Sequence, residues 1–149
     1  FEQNGIKICI TSVLHPQAFD FIMARDIEIL PIEKTLEQIV GEMEKKTDLI
    51  IVLYHIGSRE GLDILKKFKD IDILIAGHSQ EKTETRLEDR YLLQTGYDGE
   101  YLGWLEIETG HSGFNISNQF LPISESYKMY PAMKMKIDEF NELLDETYY

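Results

Sequence analysis

The sequence has 149 residues, with 43% hydrophobic and 28% charged side chains, a balance typical of one folded domain and not of a disordered chain. Its formal net charge of −12 repels phosphate backbones, so the composition argues against nucleic-acid binding. No run of about 18 apolar residues occurs, and no membrane-spanning helix is therefore predicted.

The first part of the chain alternates short apolar segments with an amphipathic one. Residues 7–10 are largely apolar and β-branched and predict a strand. The alternation over residues 27–30 predicts a second short strand, which ends at Pro31. Apolar side chains recur at helical spacing over residues 33–46, with an acid first and lysines last, and this pattern predicts a helix.

Two continuous apolar segments follow, each of the kind found in strands that are buried on both faces. Residues 48–54 read D-L-I-I-V-L-Y, and residues 71–76 repeat the pattern. A helix is predicted between them, over about residues 58–68, with Ser58 as a plausible N-cap. Strand, helix and strand in this order indicate a parallel sheet with right-handed crossovers.

The last third of the sequence changes character. Three segments predict antiparallel strands joined by Gly-rich turns: residues 91–95, 101–109 and 114–121. The charged residues 81–89 are interpreted as a solvated connection. Residues 130–149 predict a closing helix with Pro131 in its first turn. The expected fold class is therefore α/β, with a mixed, largely parallel sheet and crossover helices.

Two histidines stand at equivalent positions, at the ends of the two buried strands. His55 follows L-Y and precedes I-G, and His78 lies in the segment I-A-G-H-S-Q. Ligands gather at the carboxyl ends of strands in α/β sheets, and neighbouring strands lie about 5 Å apart, so the two imidazoles could share one cation. A single strand-end histidine is usually a capping or surface residue, and spacing alone leaves metal or phosphate binding and a structural role equally open.

Several stretches together resemble one known family. The segment D-L-I-I-V-L-Y-H-I-G and the later segment I-D-I-L-I-A-G-H-S-Q resemble the C-terminal part of the calcineurin-like metallophosphoesterase domain of 5′-nucleotidases and UDP-sugar hydrolases. Residues 94–103, Q-T-G-Y-D-G-E-Y-L-G, look like the Gly-rich strand pair that follows in that family. The resemblance implies half of an αββα sandwich, with residues 1–128 as the C-terminal part of the metallophosphoesterase domain and residues 129–149 as a linker-like helix.

The resemblance also implies roles for individual residues at a dinuclear centre of divalent ions such as Mn, Zn, Mg or Ca. His55 and His78 match metal ligands that bind the same ion. Gln80 stands where the family pattern places a third histidine, a ligand of the other ion, and an amide oxygen binds zinc-like metals less well than imidazole does. Ser79 and Asp98 could orient the ligands through hydrogen bonds, or they could be ordinary turn residues. The family has a functional loop near the position of His15, so the resemblance implies that His15 could line the cleft, although an ordinary loop histidine is the simpler interpretation.

Other features that the resemblance leads us to expect are absent from this sequence. Asp-x-His, bridging-aspartate and Asn-His-Asp/Glu elements do not occur before His55, and two imidazoles are an incomplete cage for a catalytic metal. The sequence starts at Phe1 without a recognisable signal peptide, and we interpret it as a fragment. We expect part of a hydrolase of nucleotides or similar small phosphate esters, inactive alone; the alternative is a degenerate, non-catalytic binding or scaffold module.

A half-domain of this kind is expected to leave one apolar face of its sheet uncovered. Such a face favours association, so we expect either the missing N-terminal half or a second copy of the chain as a partner. The closing helix over residues 130–149 is an alternative cover.

Overall fold

The computed structural model of the chain describes residues 1–15, 28, 30–110, 113–124 and 126–148. Its strands are β1 Glu2–Gln3, β2 Ile6–Leu14, β3 Leu49–His55, β4 Ile73–Ala76, β5 Lys82–Leu87, β6 Arg90–Thr95, β7 Tyr101–Gly110 and β8 Gly113–Pro122. Its helices are α1 Ile32–Met43, α2 Ser58–Lys67 and α3 Pro131–Tyr148. The strand predicted over residues 27–30 falls largely outside the described residues. Across the described ranges, no helix is long and apolar enough to cross a membrane.

The central sheet has six strands in the order β1-β2-β3-β4-β6-β5. Strands β2, β3, β4 and β6 run parallel to their neighbours, and β1 and β5 pair antiparallel at the two edges. Strands β7 and β8 form a separate antiparallel hairpin. The predicted α/β fold with a mixed, largely parallel sheet is therefore confirmed.

The charged segment before β6 corrects one prediction. Residues 81–89, which the sequence suggested as a solvated connection, contain strand β5, and β5 pairs with β6 along its whole length. Its side chains alternate between exposed and half-buried positions. A strand at the edge of a sheet tolerates charged side chains because one side is solvated and the charges discourage pairing with other chains. The same pattern makes such a strand hard to distinguish from a loop.

Helices α1 and α2 cover one face of the sheet. They bury Leu36, Val40, Ile64 and Leu65 against a layer of strand residues that includes Ile50, Val52, Leu74 and Leu92. Helix α2 lies very close to the strands at Gly61, where an added Cβ atom would stand 2.9 Å from Cδ1 of Leu92. The absence of a side chain at this position sets the depth at which α2 packs.

The hairpin covers only part of the opposite face. Four of its side chains pack on the middle of that face: Leu105, Ile107, Phe114 and Ile116. Nearer the carboxyl end, Ile10, Leu14 and Leu53 remain 49%, 40% and 40% exposed. The described side chains of α3 are all exposed, so the closing helix does not cover this face. The apolar surface formed by Ile10, Leu14 and Leu53 is called the open face below.

Two aspartates fix the register at the amino ends of the parallel strands. Asp48 donates its backbone N–H to Lys7 O at 2.8 Å and accepts the Lys7 N–H on Oδ2 at 2.8 Å. In the same way, Asp72 donates its backbone N–H to Ile50 O at 3.1 Å and accepts the Ile50 N–H on Oδ2 at 2.7 Å. Each aspartate therefore closes a ring of two hydrogen bonds on the preceding strand and ties the start of one strand to the next.

Replacing Asp72 with asparagine is expected to change how stability depends on pH. Burial raises the pKa of Asp72; Asp89 and Asp70 add to the rise, whereas the Ile50 N–H and Arg90 oppose it. Because the folded state binds this proton more tightly than the unfolded state, the wild type loses stability as pH rises through the folded pKa. The Asp72→Asn variant keeps an acceptor oxygen without the charge, so its midpoint of thermal unfolding at pH 7 should equal or exceed that of the wild type.

Circular dichroism melts between about pH 4 and pH 8 test this expectation, because the ordinary pKa of aspartate lies near 3.9. The difference in unfolding midpoint between Asp72→Asn and the wild type should become smaller as the pH is lowered towards about 4. Asp72→Ala is the control: it leaves the Ile50 N–H without its acceptor and should cost about 1–3 kcal/mol at every pH. An asparagine variant as unstable at pH 7 as the alanine variant would contradict this account.

Candidate metal site

The two strand-end histidines meet at the carboxyl edge of the sheet. His55 is the last residue of β3, and His78 follows the end of β4 by two residues. Tyr54 pairs with Ala76 in the parallel register, so His55 stands level with Gly77, and His78 lies one residue further along. Nδ1 of His78 lies 3.2 Å from Nε2 of His55, and the ring centroids are 5.0 Å apart with the planes at 75°.

This separation suits two ligands of one ion. With metal–nitrogen bonds of about 2.0–2.1 Å, two imidazole nitrogens on one ion lie about 2.9–3.4 Å apart as their angle widens from a right angle to the tetrahedral value. Both histidines are exposed, so an ion reaches them without crossing the core. The 3.2 Å between the two nitrogens is also a hydrogen-bond distance; it is compatible with a shared divalent cation, and the metal role itself stays a prediction.

Tyr54, the residue before His55, holds the end of β3 in place. Tyr54 is 4% exposed and packs among the helix-facing core residues. Burial, with a smaller contribution from the Glu33 carboxylate, raises the pKa of the Tyr54 phenol, so the ring stays neutral in its apolar surroundings. Because side chains alternate along a strand, burial of Tyr54 on the helix side turns His55 away from the helices.

The pair lacks a third protein ligand of the usual kinds. In the part of the chain that the structure describes, no group of three or more His, Cys, Asp or Glu side chains could hold an ion. Catalytic metals commonly have three protein ligands. The arrangement can thus chelate a cation weakly but does not by itself complete a catalytic centre.

Ser79 anchors the loop that carries His78. Its hydroxyl lies 3.1 Å from Nε2 and 3.3 Å from Oε1 of Gln94, which is 1% exposed in β6, and it accepts the Ser58 N–H at 3.3 Å. These bonds go to the scaffold and not to the imidazole rings. The N-cap of α2 is Gly57, which corrects the prediction of Ser58; the Ser58 hydroxyl instead donates to the Glu81 carboxylate.

The other two predicted site residues lie in turns with unusual backbone conformation. Gln80 has a φ of 59° and Asp98 a φ of 48°, in the left-handed region that side chains other than glycine rarely adopt. Gln80 is exposed two residues beyond His78, and Asp98 is exposed in the connection between β6 and β7. Strained backbone of this kind clusters at functional sites, but the ligand roles of both residues stay predictions.

A cavity beside the histidine pair includes His15, which the sequence analysis left as either a cleft residue or an ordinary loop histidine, and Glu60, which it did not assign to the site. Its volume is about 250 Å³, and its lining consists of His15, His55, Ile56, Gly57, Glu60, His78 and Ser79. His15 directly follows β2, whose last residue Leu14 pairs with His55. Glu60 folds back over Gly57, where an added Cβ would lie 2.6 Å from its Oε2.

A signal for His15 was present in the sequence. It is the first residue after a strand, as His55 and His78 stand at strand ends, but the strand was predicted to end at residue 10 instead of Leu14. Glu60 had no comparable signal, because its place at the cavity depends on the first turn of α2.

Comparisons with known proteins give a relative by sequence and several by fold. No protein-family model matches the chain. It is 34% identical over 114 residues to the trifunctional nucleotide phosphoesterase protein YfkN of Bacillus subtilis (strain 168), a match that covers 68% of this chain and 8% of that protein. The chain thus spans only a small part of this curated relative.

Solved structures share the fold. A Staphylococcus aureus protein assigned as a 5′-nucleotidase, in complex with alpha-ketoglutarate, superposes with a TM-score of 0.75 at 19% identity, over 95% of this chain and 32% of that one. The NAD nucleotidase NadN of Haemophilus influenzae superposes with a TM-score of 0.68 at 16% identity, over 93% of this chain and 35% of that one. The sequence relative confirms the predicted resemblance, and these structures confirm the fold: this chain belongs to the 5′-nucleotidase family.

Proposed function

We propose that the chain forms part of a metal-dependent hydrolase that acts on nucleotides or similar phosphate esters. The observation that carries the proposal is the His55–His78 pair, with 3.2 Å between facing nitrogens at adjoining strand ends. In this proposal, residues 1–128 are the C-terminal part of a metallophosphoesterase domain and residues 129–149 are a linker-like helix. The relative YfkN, a nucleotide phosphoesterase by name, supports the substrate class.

Each site residue has a proposed task. When bound, a divalent ion polarises a phosphoryl oxygen and lowers the pKa of a water. His55 would hold it through Nε2 and His78 through Nδ1, the two nitrogens that face each other. Gln80 is proposed as a ligand of a second ion and Asp98 as a hydrogen-bond partner of the ligands. Ser79 fixes the loop on which His78 and Gln80 stand.

The remaining ligands are proposed to come from outside this chain. The open face supports this, because it presents apolar surface to solvent along β2 and β3 and reaches the strand end at Leu14, which pairs with His55. A missing N-terminal half, or a second copy of the chain, would bury that surface and bring further side chains to the histidine pair. The lack of a third ligand in the described ranges also keeps open a non-catalytic binding or scaffold role.

Assays on the isolated chain and on a longer form of the protein test the proposal. The chain alone, with Mn²⁺ or Zn²⁺, is expected to bind metal but to hydrolyse AMP no faster than background. A longer form that includes the proposed N-terminal half should hydrolyse AMP, and His78→Ala should lower its kcat/KM by roughly 100-fold or more, since loss of an outer-shell partner alone costs about 10- to 100-fold.

Three outcomes would count against parts of the proposal. Turnover by the isolated chain that disappears in the His55→Ala variant would contradict its incompleteness. An inactive longer form that still binds metal would favour the scaffold role. A chain that binds no divalent metal would remove the basis of the assignment.

A further inference from the structure

We propose that His15 is a phosphate-binding residue of this site, and that it donates a hydrogen bond to the phosphate group of a ligand held beside His55 and His78. The proposal rests on the proposed function and adds a residue to it. A third imidazole, from the residue that follows β2, thus lines the cavity together with His55 and His78.

The strand register brings His15 to the cavity. Leu14 pairs with His55 across the parallel strands β2 and β3, and adjacent strands lie about 4.8 Å apart. His15 is therefore one residue beyond the level of His55, on the side of β3 opposite to His78. His15 and both members of the pair line the same cavity.

His15 is not placed as a metal ligand. Within the described residues, no three His, Cys, Asp or Glu side chains are close enough to hold an ion, so His15 stands apart from the position shared by His55 and His78. The cavity has a volume of about 250 Å³, well above the roughly 10–15 Å³ that one water needs on this measure. An ion at the pair leaves room in it for a phosphate group.

The composition of the cavity wall leaves few donors for a phosphate oxygen. Glu60 repels an anion, although its position at the N-terminus of α2 partly compensates its charge. The Ser79 hydroxyl accepts from the Gln94 amide and from the Ser58 N–H, and its own O–H has the Gln94 Oε1 as an acceptor at 3.3 Å. His15 is the third imidazole in the cavity lining, and an imidazole carries an N–H in either neutral tautomer.

Binding of Mn²⁺ and then of inorganic phosphate to the full 149-residue chain separates metal binding by the histidine pair from phosphate binding by His15. Mn²⁺ affinity is measured by titration with EPR detection of the free ion, and phosphate affinity by the ³¹P relaxation that chain-bound Mn²⁺ induces. The His15→Ala variant should bind Mn²⁺ within about twofold of the wild type but phosphate about tenfold more weakly, the loss expected for one hydrogen bond to a charged group.

Two further variants serve as controls. His15→Asn keeps an N–H donor and should recover part of the phosphate affinity, which a purely structural role would not explain. His111→Ala removes an imidazole from the stretch between β7 and β8 and should bind both ions as the wild type does.

The outcomes distinguish this proposal from the proposed function. If His15→Ala binds phosphate as tightly as the wild type, the role of His15 is overturned. The same holds if its Mn²⁺ affinity falls as much as that of His55→Ala. A wild type that binds Mn²⁺ but not phosphate would also overturn it, while leaving the metal site in place. A wild type that binds no Mn²⁺ would overturn both proposals.

Discussion

Replacing His55 with alanine is expected to lower the affinity of the chain for Zn²⁺ by at least about 100-fold, since even the outer-shell partners of a metal site contribute about 10- to 100-fold. The site within the described chain consists of two facing imidazoles. Removal of either leaves a single nitrogen, which cannot chelate. His78→Ala should therefore have the same effect as His55→Ala, and the double variant should be hardly worse than either.

Isothermal titration calorimetry with Zn²⁺ measures this effect. Both histidines are exposed, so the variants should melt within a few degrees of the wild type in the absence of metal, and loss of binding will not reflect loss of the fold. Gln80→Ala is the matched comparison from the same loop: its proposed ion is the second one, so Zn²⁺ binding at the pair should persist. Near-wild-type Zn²⁺ affinity in either histidine variant would refute the shared ion.

Replacing Arg90 with alanine is expected to destabilise the fold by about 3 kcal/mol, as loss of a buried charged hydrogen-bonding group does. The Arg90 side chain is 6% exposed, and its Nη1 donates to the carbonyls of Leu65 and Phe68. These carbonyls lie at the C-terminal end of α2, where the helix supplies no further N–H groups and a positive charge is favourable. Without the guanidinium, both carbonyls lose this donor, and the Phe68 carbonyl keeps the longer bond from the Ile71 N–H at 3.4 Å.

Urea unfolding of Arg90→Ala and Arg86→Ala isolates the contribution of burial. Arg86 is an exposed arginine on β5 that lies over the Tyr91 ring with its Cζ 5.5 Å from the ring centroid. Its replacement should cost no more than about 1 kcal/mol, the usual size of an exposed cation–π contact. Equal losses in the two variants would show that the bonds to the end of α2 are not what stabilises the fold.

The parallel core was predictable because its sequence signals are local and strong. Strands β3 and β4 are uninterrupted apolar runs, and α1 and α2 repeat apolar residues at helical spacing, so these elements lie where the pattern indicates. Strand β2 was predicted too short, because the polar Thr11 and Ser12 interrupt its apolar pattern. Both positions are still paired in the parallel register with β3.

The predicted length of β2, which was too short, also affected the interpretation of the site. Ending the strand at residue 10 left His15 in a loop, whereas the true end at Leu14 brings His15 to the same edge as His55 and His78. The histidine pair itself was predictable, because both members stand directly at the ends of recognisable strands. The side chains that position the pair were not, since Ser79 and Gln94 meet only through the fold.

Turn conformations and helix docking depend on information that a local pattern does not carry. Left-handed backbone at Gln80 and Asp98 follows from how their loops close, because these residue types do not require it. Helix α3 was predicted from its periodicity, yet its described side chains, including Met133, Ile137 and Phe140, are exposed. An apolar stripe thus predicted the helix but not a partner within the described part of the chain.

Anomalous X-ray diffraction from crystals of the chain grown with Zn²⁺ would test the shared ion most directly. Data collected at the zinc edge should show one peak about 2.0–2.1 Å from both Nε2 of His55 and Nδ1 of His78, the usual zinc–imidazole distance. A peak bonded to only one of the two rings, or no peak at this edge of the sheet, would contradict the account.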